Sequence, residues 1–135
     1  MLNLFAKKSI PVTAFWVADT ARRFPEIVRE MESAGHETGT HSLYHETVGD
    51  SLFEIPGTYP LLPEEVQPRI KLATDILEDI VGHKVVSWRC PRLFGGTHVT
   101  NALESLGYEC DATYPMYYYN EQLFPYHPSQ ENWTD

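Results

Sequence analysis

The chain has 135 residues, 42% of them hydrophobic and 21% charged, with a formal net charge of −9. That composition belongs to one globular domain, or to part of one, and not to a disordered chain. The acidic balance argues against nucleic acid or an anionic membrane surface as partner, and no apolar run approaches the roughly 20 residues that a membrane span needs.

In MLNLFAKKSI the lysines follow the apolar residues, the wrong order for a signal peptide, so a cytoplasmic, reduced protein is expected. This opening reads as the last turns of a helix. PVTAFWV (Pro11–Val17) is β-branched and aromatic, hence a strand. FPEIVREMESAG then places Phe24, Ile27, Val28 and Met31 on one helical face, with Pro25 at its first turn and Gly35 as its stop. HETGTH predicts a second strand. From Glu46 to Leu62 the chain is polar and rich in turn residues, with Gly49, Pro56, Gly57 and Pro60, and a loop of that length is commonly a functional rim.

PEEVQPRIKLATDILEDIVG carries Val66, Ile70, Ala73, Leu77 and Ile80 at helical spacing, with Pro68 in the early turns, where proline does least harm. KVVSWRC predicts a third strand. Thr97 is placed as the cap of a helix that turns Val99, Ala102, Leu103 and Leu106 inward and ends at Gly107. YECDATY predicts a fourth strand, and the aromatic tail beyond it has no clear period. Helix and strand alternate four times, which predicts an α/β fold with a parallel sheet or an arc of a β/α barrel.

The two cysteines, Cys90 and Cys110, have no CxxC partner, which argues against a structural zinc site. They are expected as buried thiols on neighbouring strands, with a disulfide as the alternative. In parallel β/α folds, chemistry gathers at the C-terminal ends of the strands. His41 ends the second predicted strand and His45 follows four residues later. Arg89 ends the third strand, and Asp111 lies in the fourth. The spacing of the two histidines alone fits two ligands of one metal ion or chance. Glu37 and Asp50 are acids close to them in sequence, and neither stands in the context of a metal-binding aspartate. His36, His83, His98 and His127 are expected to be structural or solvated. The run Tyr117–Tyr119 could stack on sugar rings or pack the loop.

These segments resemble the polysaccharide deacetylases, the NodB-homology domain of carbohydrate esterase family four. The stretch IPVTAFWVADTARRFPEIVREMESAGHETGTHSLYH is similar to that family's strand, helix and His-Ser/Thr-x-x-His motif, met by His41, Ser42 and His45. Arg89 and Pro91 match its Arg-x-Pro motif, and LGYECDATYP is similar to the corresponding segment of the peptidoglycan and allantoinase-like branch.

The resemblance implies a metal-dependent N-deacetylase on a partial (β/α) barrel, with residues 1–135 as a single domain. His41 and His45 would hold a divalent metal, usually zinc, together with an aspartate. Arg89 would orient a general base. Pro91 and Arg92 would lie against the substrate, with the backbone N–H of Arg92 on the oxyanion. Asp111 would either assist the catalytic acid or serve as a turn carboxylate. The implied substrate is an acetylated sugar polymer or, in the allantoinase-like branch, a small amide.

The family's Thr-Phe-Asp-Asp motif precedes the first helix and its Leu-x-His motif follows the last segment matched here, so the first and last strands are expected to be missing. Such an arc would expose two sheet edges and an apolar inner face, so the chain is expected to be poorly soluble, a homo-oligomer, or paired with missing strands from another chain. The family's tyrosine after Arg-x-Pro is Arg92 here. The competing reading is a non-catalytic binding or assembly module built on part of the barrel.

Overall fold

The computed structural model describes residues 2–114 and 124–134. The run Tyr117–Tyr119 lies outside them. Four short strands, β1 (Thr13–Trp16), β2 (Glu37–Thr40), β3 (Ser87–Trp88) and β4 (Cys110–Asp111), form one parallel sheet in the order β1-β2-β3-β4. Helices α1 (Leu2–Lys8), α2 (Ala18–Arg23), α3 (Pro25–Ser33), α4 (Pro63–Val81) and α5 (Thr97–Ser105) alternate with the strands. The expected parallel α/β arc is therefore present.

Helix α4 is the spine of the core. Val66, Ile70, Ala73 and Leu77 recur every three or four residues and are fully buried. Val66 and Ile70 pack with Trp88, Cys90, Val99 and Leu103, while Ala73 and Leu77 pack with Ala18, Ala21, Val28 and Val85. One helix thus joins two hydrophobic clusters. The Glu65 side chain accepts from the Leu62 N–H at 3.1 Å to start α4, and left-handed Gly82 ends it. Among the described residues, no helix is long and apolar enough to cross a membrane.

Four local expectations are corrected. The segment after β1 forms a helix of its own, α2, which breaks at Phe24 (φ −133°, ψ 55°), because the residue before Pro25 is driven out of helical geometry. Phe24 and Ile27 are exposed, and only Val28 and Met31 of the predicted face are buried. Helix α5 begins at Thr97 itself with Gly96 as its cap, and Thr97 Oγ1 instead accepts from the Trp133 N–H at 3.2 Å. Cys90 is buried as expected, but Cys110 is exposed, and both are free thiols.

Side chains alternate across a strand, and the sheet's two faces differ in character. The face toward α4 carries Thr40 and Trp88, both fully buried. There the Tyr108 hydroxyl reaches Thr40 Oγ1 at 2.8 Å and Thr74 Oγ1 of α4 at 2.6 Å. On the opposite face, Thr13 and Ser87 donate to the two carboxylate oxygens of Glu37, with Phe15 and Gly39 one step further along the strands. This inner face is thus a polar row with one aromatic ring, not the apolar surface expected. A sheet whose inner residues satisfy one another in this way has less apolar area to hide.

Candidate functional site

The backbone ladder carries the two sequence motifs to one place. The His41 N–H donates to Trp16 O at 2.8 Å and the Arg89 N–H donates to Thr40 O at 3.0 Å, so both residues continue the pairing just past the strand ends. The loop after His41 is tied to the start of α2 by Ala18 N–H to Ser42 O and Asp19 N–H to Leu43 O, both 3.0 Å. Within that loop Ser42 and His45 hold left-handed backbone angles (φ 64° and 62°), conformations that side chains other than glycine adopt at some energetic cost. Ser42 Oγ accepts from the His45 N–H at 3.0 Å, which fixes the tight return of the chain.

The result brings the two imidazoles together. Their ring centroids are 4.9 Å apart, with the planes at 69°. His41 Nδ1 lies 2.7 Å from the carbonyl oxygen of Arg89. A carbonyl only accepts, so Nδ1 carries the proton and Nε2 keeps its lone pair. Burial lowers the His41 pKa, and the neighbouring His45 and Arg89 push the same way against the opposing hydrogen bond. His41 therefore stays neutral to lower pH than an ordinary histidine, the state a metal ligand needs.

Arg89 is anchored beside this pair. Its Nε donates to Ala112 O at 3.1 Å, and its guanidinium carbon lies 4.9 Å from the centre of the Phe15 ring, a cation–π arrangement. Phe15 can occupy that position because residue 39 is glycine: a Cβ there would fall 2.6 Å from Phe15 Cδ1. Pro91 is buried at the start of a short 3-10 turn, Pro91–Leu93, in which Arg92 and Leu93 have φ of 59° and 60°.

Glu46 is the acid that the sequence reading overlooked. One of its oxygens accepts from the Tyr44 N–H at 2.6 Å and from Ser42 Oγ at 3.1 Å, and the other lies 3.6 Å from Arg69 Nη1. It braces the histidine loop. The prior signal was its place directly after His45 and four residues after Ser42. Glu37 is engaged by Thr13 and Ser87, and Asp50 lies 4.0 Å from His98.

Asp111 is not brought to the imidazoles. It pairs in register with Trp88, whose side chain faces the helices, and it lines a cavity of about 160 Å³ with Tyr114, Tyr126 and Trp133. His41, His45 and Arg89 are not among the residues lining that cavity. Asp111 Oδ1 accepts from the Thr113 N–H at 2.9 Å and from the Thr113 hydroxyl, and Thr113 Oγ1 in turn accepts from the Cys90 N–H at 2.8 Å. The carboxylate thereby supports the turn that leads into Pro91.

Much of the Asp111 residue surface lies at the exposed sheet edge, but its carboxyl is folded onto buried Thr113, and desolvation raises its pKa to about 6. A raised folded-state pKa means that ionisation works against folding. Stability should therefore rise as pH falls from about 6 toward the ordinary value of 3.8. In Asp111→Asn this dependence should vanish. Urea midpoints at pH 4.5 and 7 for both proteins should show wild type gaining relative to the variant at the lower pH.

The two imidazoles supply part of what a divalent ion needs. Catalytic zinc takes three protein ligands and leaves an open position. His41 and His45 suit two of those places, and the Arg89 carbonyl on Nδ1 is the outer-shell contact that orients such a histidine. Among the described residues, no group of three or more His, Cys, Asp and Glu stands together to complete the set.

A parallel β/α arc with paired imidazoles and an arginine at adjacent strand ends defines part of a β/α barrel with its polar groups gathered at one rim. Residues 1–110 match the sequence profile of the polysaccharide deacetylases, and the chain belongs to that family. Among solved structures it is similar to a carbohydrate esterase family 4 pseudoenzyme from Bacillus anthracis, with a TM-score of 0.68 and 16% identity over 82% of this chain and 36% of that one. It is also similar to a family 4 acetyl xylan esterase from Clostridium thermocellum in complex with a cobalt ion, with a TM-score of 0.61 and 20% identity over 75% and 45% of the two chains. A third similar structure is the PuuE allantoinase, with a TM-score of 0.59 and 25% identity over 82% and 33%. The chain thus spans between a third and just under half of the length of these proteins. No curated protein matches it significantly.

Proposed function

We propose that this chain is the histidine-bearing part of a metal-dependent hydrolase that removes N-acetyl groups from an acetamido sugar polymer. The observation that carries this reading is the His41–His45 pair, with the His41 tautomer set by the Arg89 carbonyl so that the Nε2 lone pair is left for a metal. Family membership supports the reaction class.

His41 and His45 would hold the ion, with the remaining ligand supplied from outside the described residues. When bound, a divalent ion such as zinc lowers the pKa of its water from about 16 toward about 7 and polarises the amide carbonyl. Arg89, held over Phe15, would orient a neighbouring carboxylate base, and the backbone N–H of Arg92 would donate to the developing oxyanion. Pro91, buried just before it, narrows the backbone angles of the turn that carries that N–H. Asp111 acts at a distance, bracing the same turn through Thr113 and the Cys90 N–H.

The test uses the full-length protein. Metal content is measured after equilibration with zinc, cobalt or manganese, and acetate release is followed on N-acetylglucosamine oligomers with and without chelator. Stoichiometric metal and chelator-sensitive release are expected. Binding of the oligomers with no acetate release at any metal loading would instead favour a non-catalytic binding module.

A further inference from the structure

Arg92 occupies the site in a way the deacetylation chemistry alone does not require. Two consecutive left-handed residues, Arg92 and Leu93, turn the chain so that the Arg92 side chain reaches back across the histidine loop. Its Nη1 donates to the carbonyl of His45 at 3.1 Å and to Thr47 Oγ1 at 3.2 Å. That contact sets the guanidinium against the backbone of the histidine loop, at the residue that carries the second imidazole.

Among the described residues, no carboxylate lies within ion-pairing distance of Arg92, and its Nε and Nη2 have no hydrogen-bond partner. This is notable in a chain with 19 acidic and 10 basic residues. Arg22, Arg23 and Arg69 all have carboxylates, and Glu46, the acid in the adjoining loop, is taken up by Ser42, Tyr44 and Arg69. Arg89 nearby makes no ion pair among the described residues, although its charge favours the ionised form of Asp111. A partly buried, pre-positioned guanidinium with free N–H groups is suited to a planar anion, because its fork matches a carboxylate in two parallel hydrogen bonds. Two such cations in an otherwise acidic chain also concentrate anionic ligands at this mouth.

We infer that Arg92 makes the site selective for amide substrates that carry a carboxylate close to the scissile N-acyl group. The inference rests on the proposed deacetylase reading for its kinetic arm and not for its binding arm. The chemistry fits a carboxylated N-acetyl sugar within a polymer or a small N-acyl amino acid, and the experiment separates these sources.

In the full-length protein, kcat/KM is measured for oligomers containing N-acetylmuramic acid, for N-acetylglucosamine oligomers and for an N-acetyl amino acid. Wild type should prefer one of the carboxylated substrates, and whichever is preferred identifies the source. Arg92→Gln should reduce the ratio of carboxylated to neutral kcat/KM by about 10-fold, mainly through KM, and Arg92→Lys should reduce it by less.

A wild-type arm avoids any folding defect in the variants: reducing the substrate carboxylate to the alcohol should erase the preference. An unchanged ratio in Arg92→Gln, or equal use of the carboxylate and alcohol by wild type, overturns the inference. If no substrate is turned over, calorimetric titration of the same ligands decides. A carboxylate preference lost in Arg92→Gln then supports the anion site although the deacetylase reading has failed, and equal affinities reject it.

Discussion

In the full-length protein, His41→Ala is expected to lower kcat/KM for acetate release by on the order of 100-fold or more. Losing merely the outer-shell partner of a metal-bound histidine typically costs 10–100-fold in metal affinity or activity, and under the proposed function a ligand itself is removed. Metal retained after dialysis should fall in parallel. Thermal stability should change little, by about 1 kcal/mol, because His41 is only partly buried and the bond lost is a single hydrogen bond to the Arg89 carbonyl. Undiminished acetate release in the variant would remove the metal reading altogether. The low His41 pKa adds a second readout: wild-type metal binding should persist below the pH at which an unperturbed histidine of pKa 6.5 is half protonated.

Gly49→Ala is expected to cost more stability than an ordinary addition of one methyl group. A Cβ at this position would fall 1.9 Å from the Phe94 carbonyl oxygen and 2.5 Å from that of Gly95. Both are backbone atoms, so no side-chain rotation relieves the clash. The Asp50 N–H donates to Gly95 O at 2.8 Å, pinning the two segments together at this point. Overpacking commonly costs 1–3 kcal/mol, and a backbone collision should exceed about 3 kcal/mol.

Gly57→Ala is the natural comparison. It has φ +73° and no atom within 4 Å of where a Cβ would stand, so its cost should be the left-handed penalty of roughly 1–2 kcal/mol. Urea unfolding of the three proteins checks the order. Equal midpoints for Gly49→Ala and wild type would mean that the loop does not lie against the Phe94–Gly95 backbone.

These two glycines also mark how far the sequence could be read. Both stood out as loop punctuation, but whether one is needed for space or for backbone angle depends on a segment some 45 residues away. The long helix was legible because its apolar residues repeat every three or four positions and bury the stripe that results. Strand positions were legible from β-branched and aromatic runs, although β3 and β4 are shorter than the runs implied. Helix α2 was missed because six residues leave little room for a periodic pattern.

The histidine pair was visible in its motif, and its proximity to Arg89 follows from the adjacency of β2 and β3. Asp111 was harder. Which face of the sheet a residue occupies depends on pairing parity, and a shift of one residue reverses it. Local sequence carries no record of that parity. Glu46 was missed for a related reason: its role emerges only when the left-handed turns at Ser42 and His45 fold the loop over it.

The bond that orients His41 runs to a peptide carbonyl and not to a side chain. Whatever residue stands at position 89, its main-chain oxygen is still there to receive the imidazole proton. Mutational drift can therefore strip the guanidinium from this rim while the ring beside it keeps its bearing. Under the proposed function, loss of turnover and loss of ion capture are consequently separable events in the history of such a scaffold, and a descendant that has abandoned the first can retain the second.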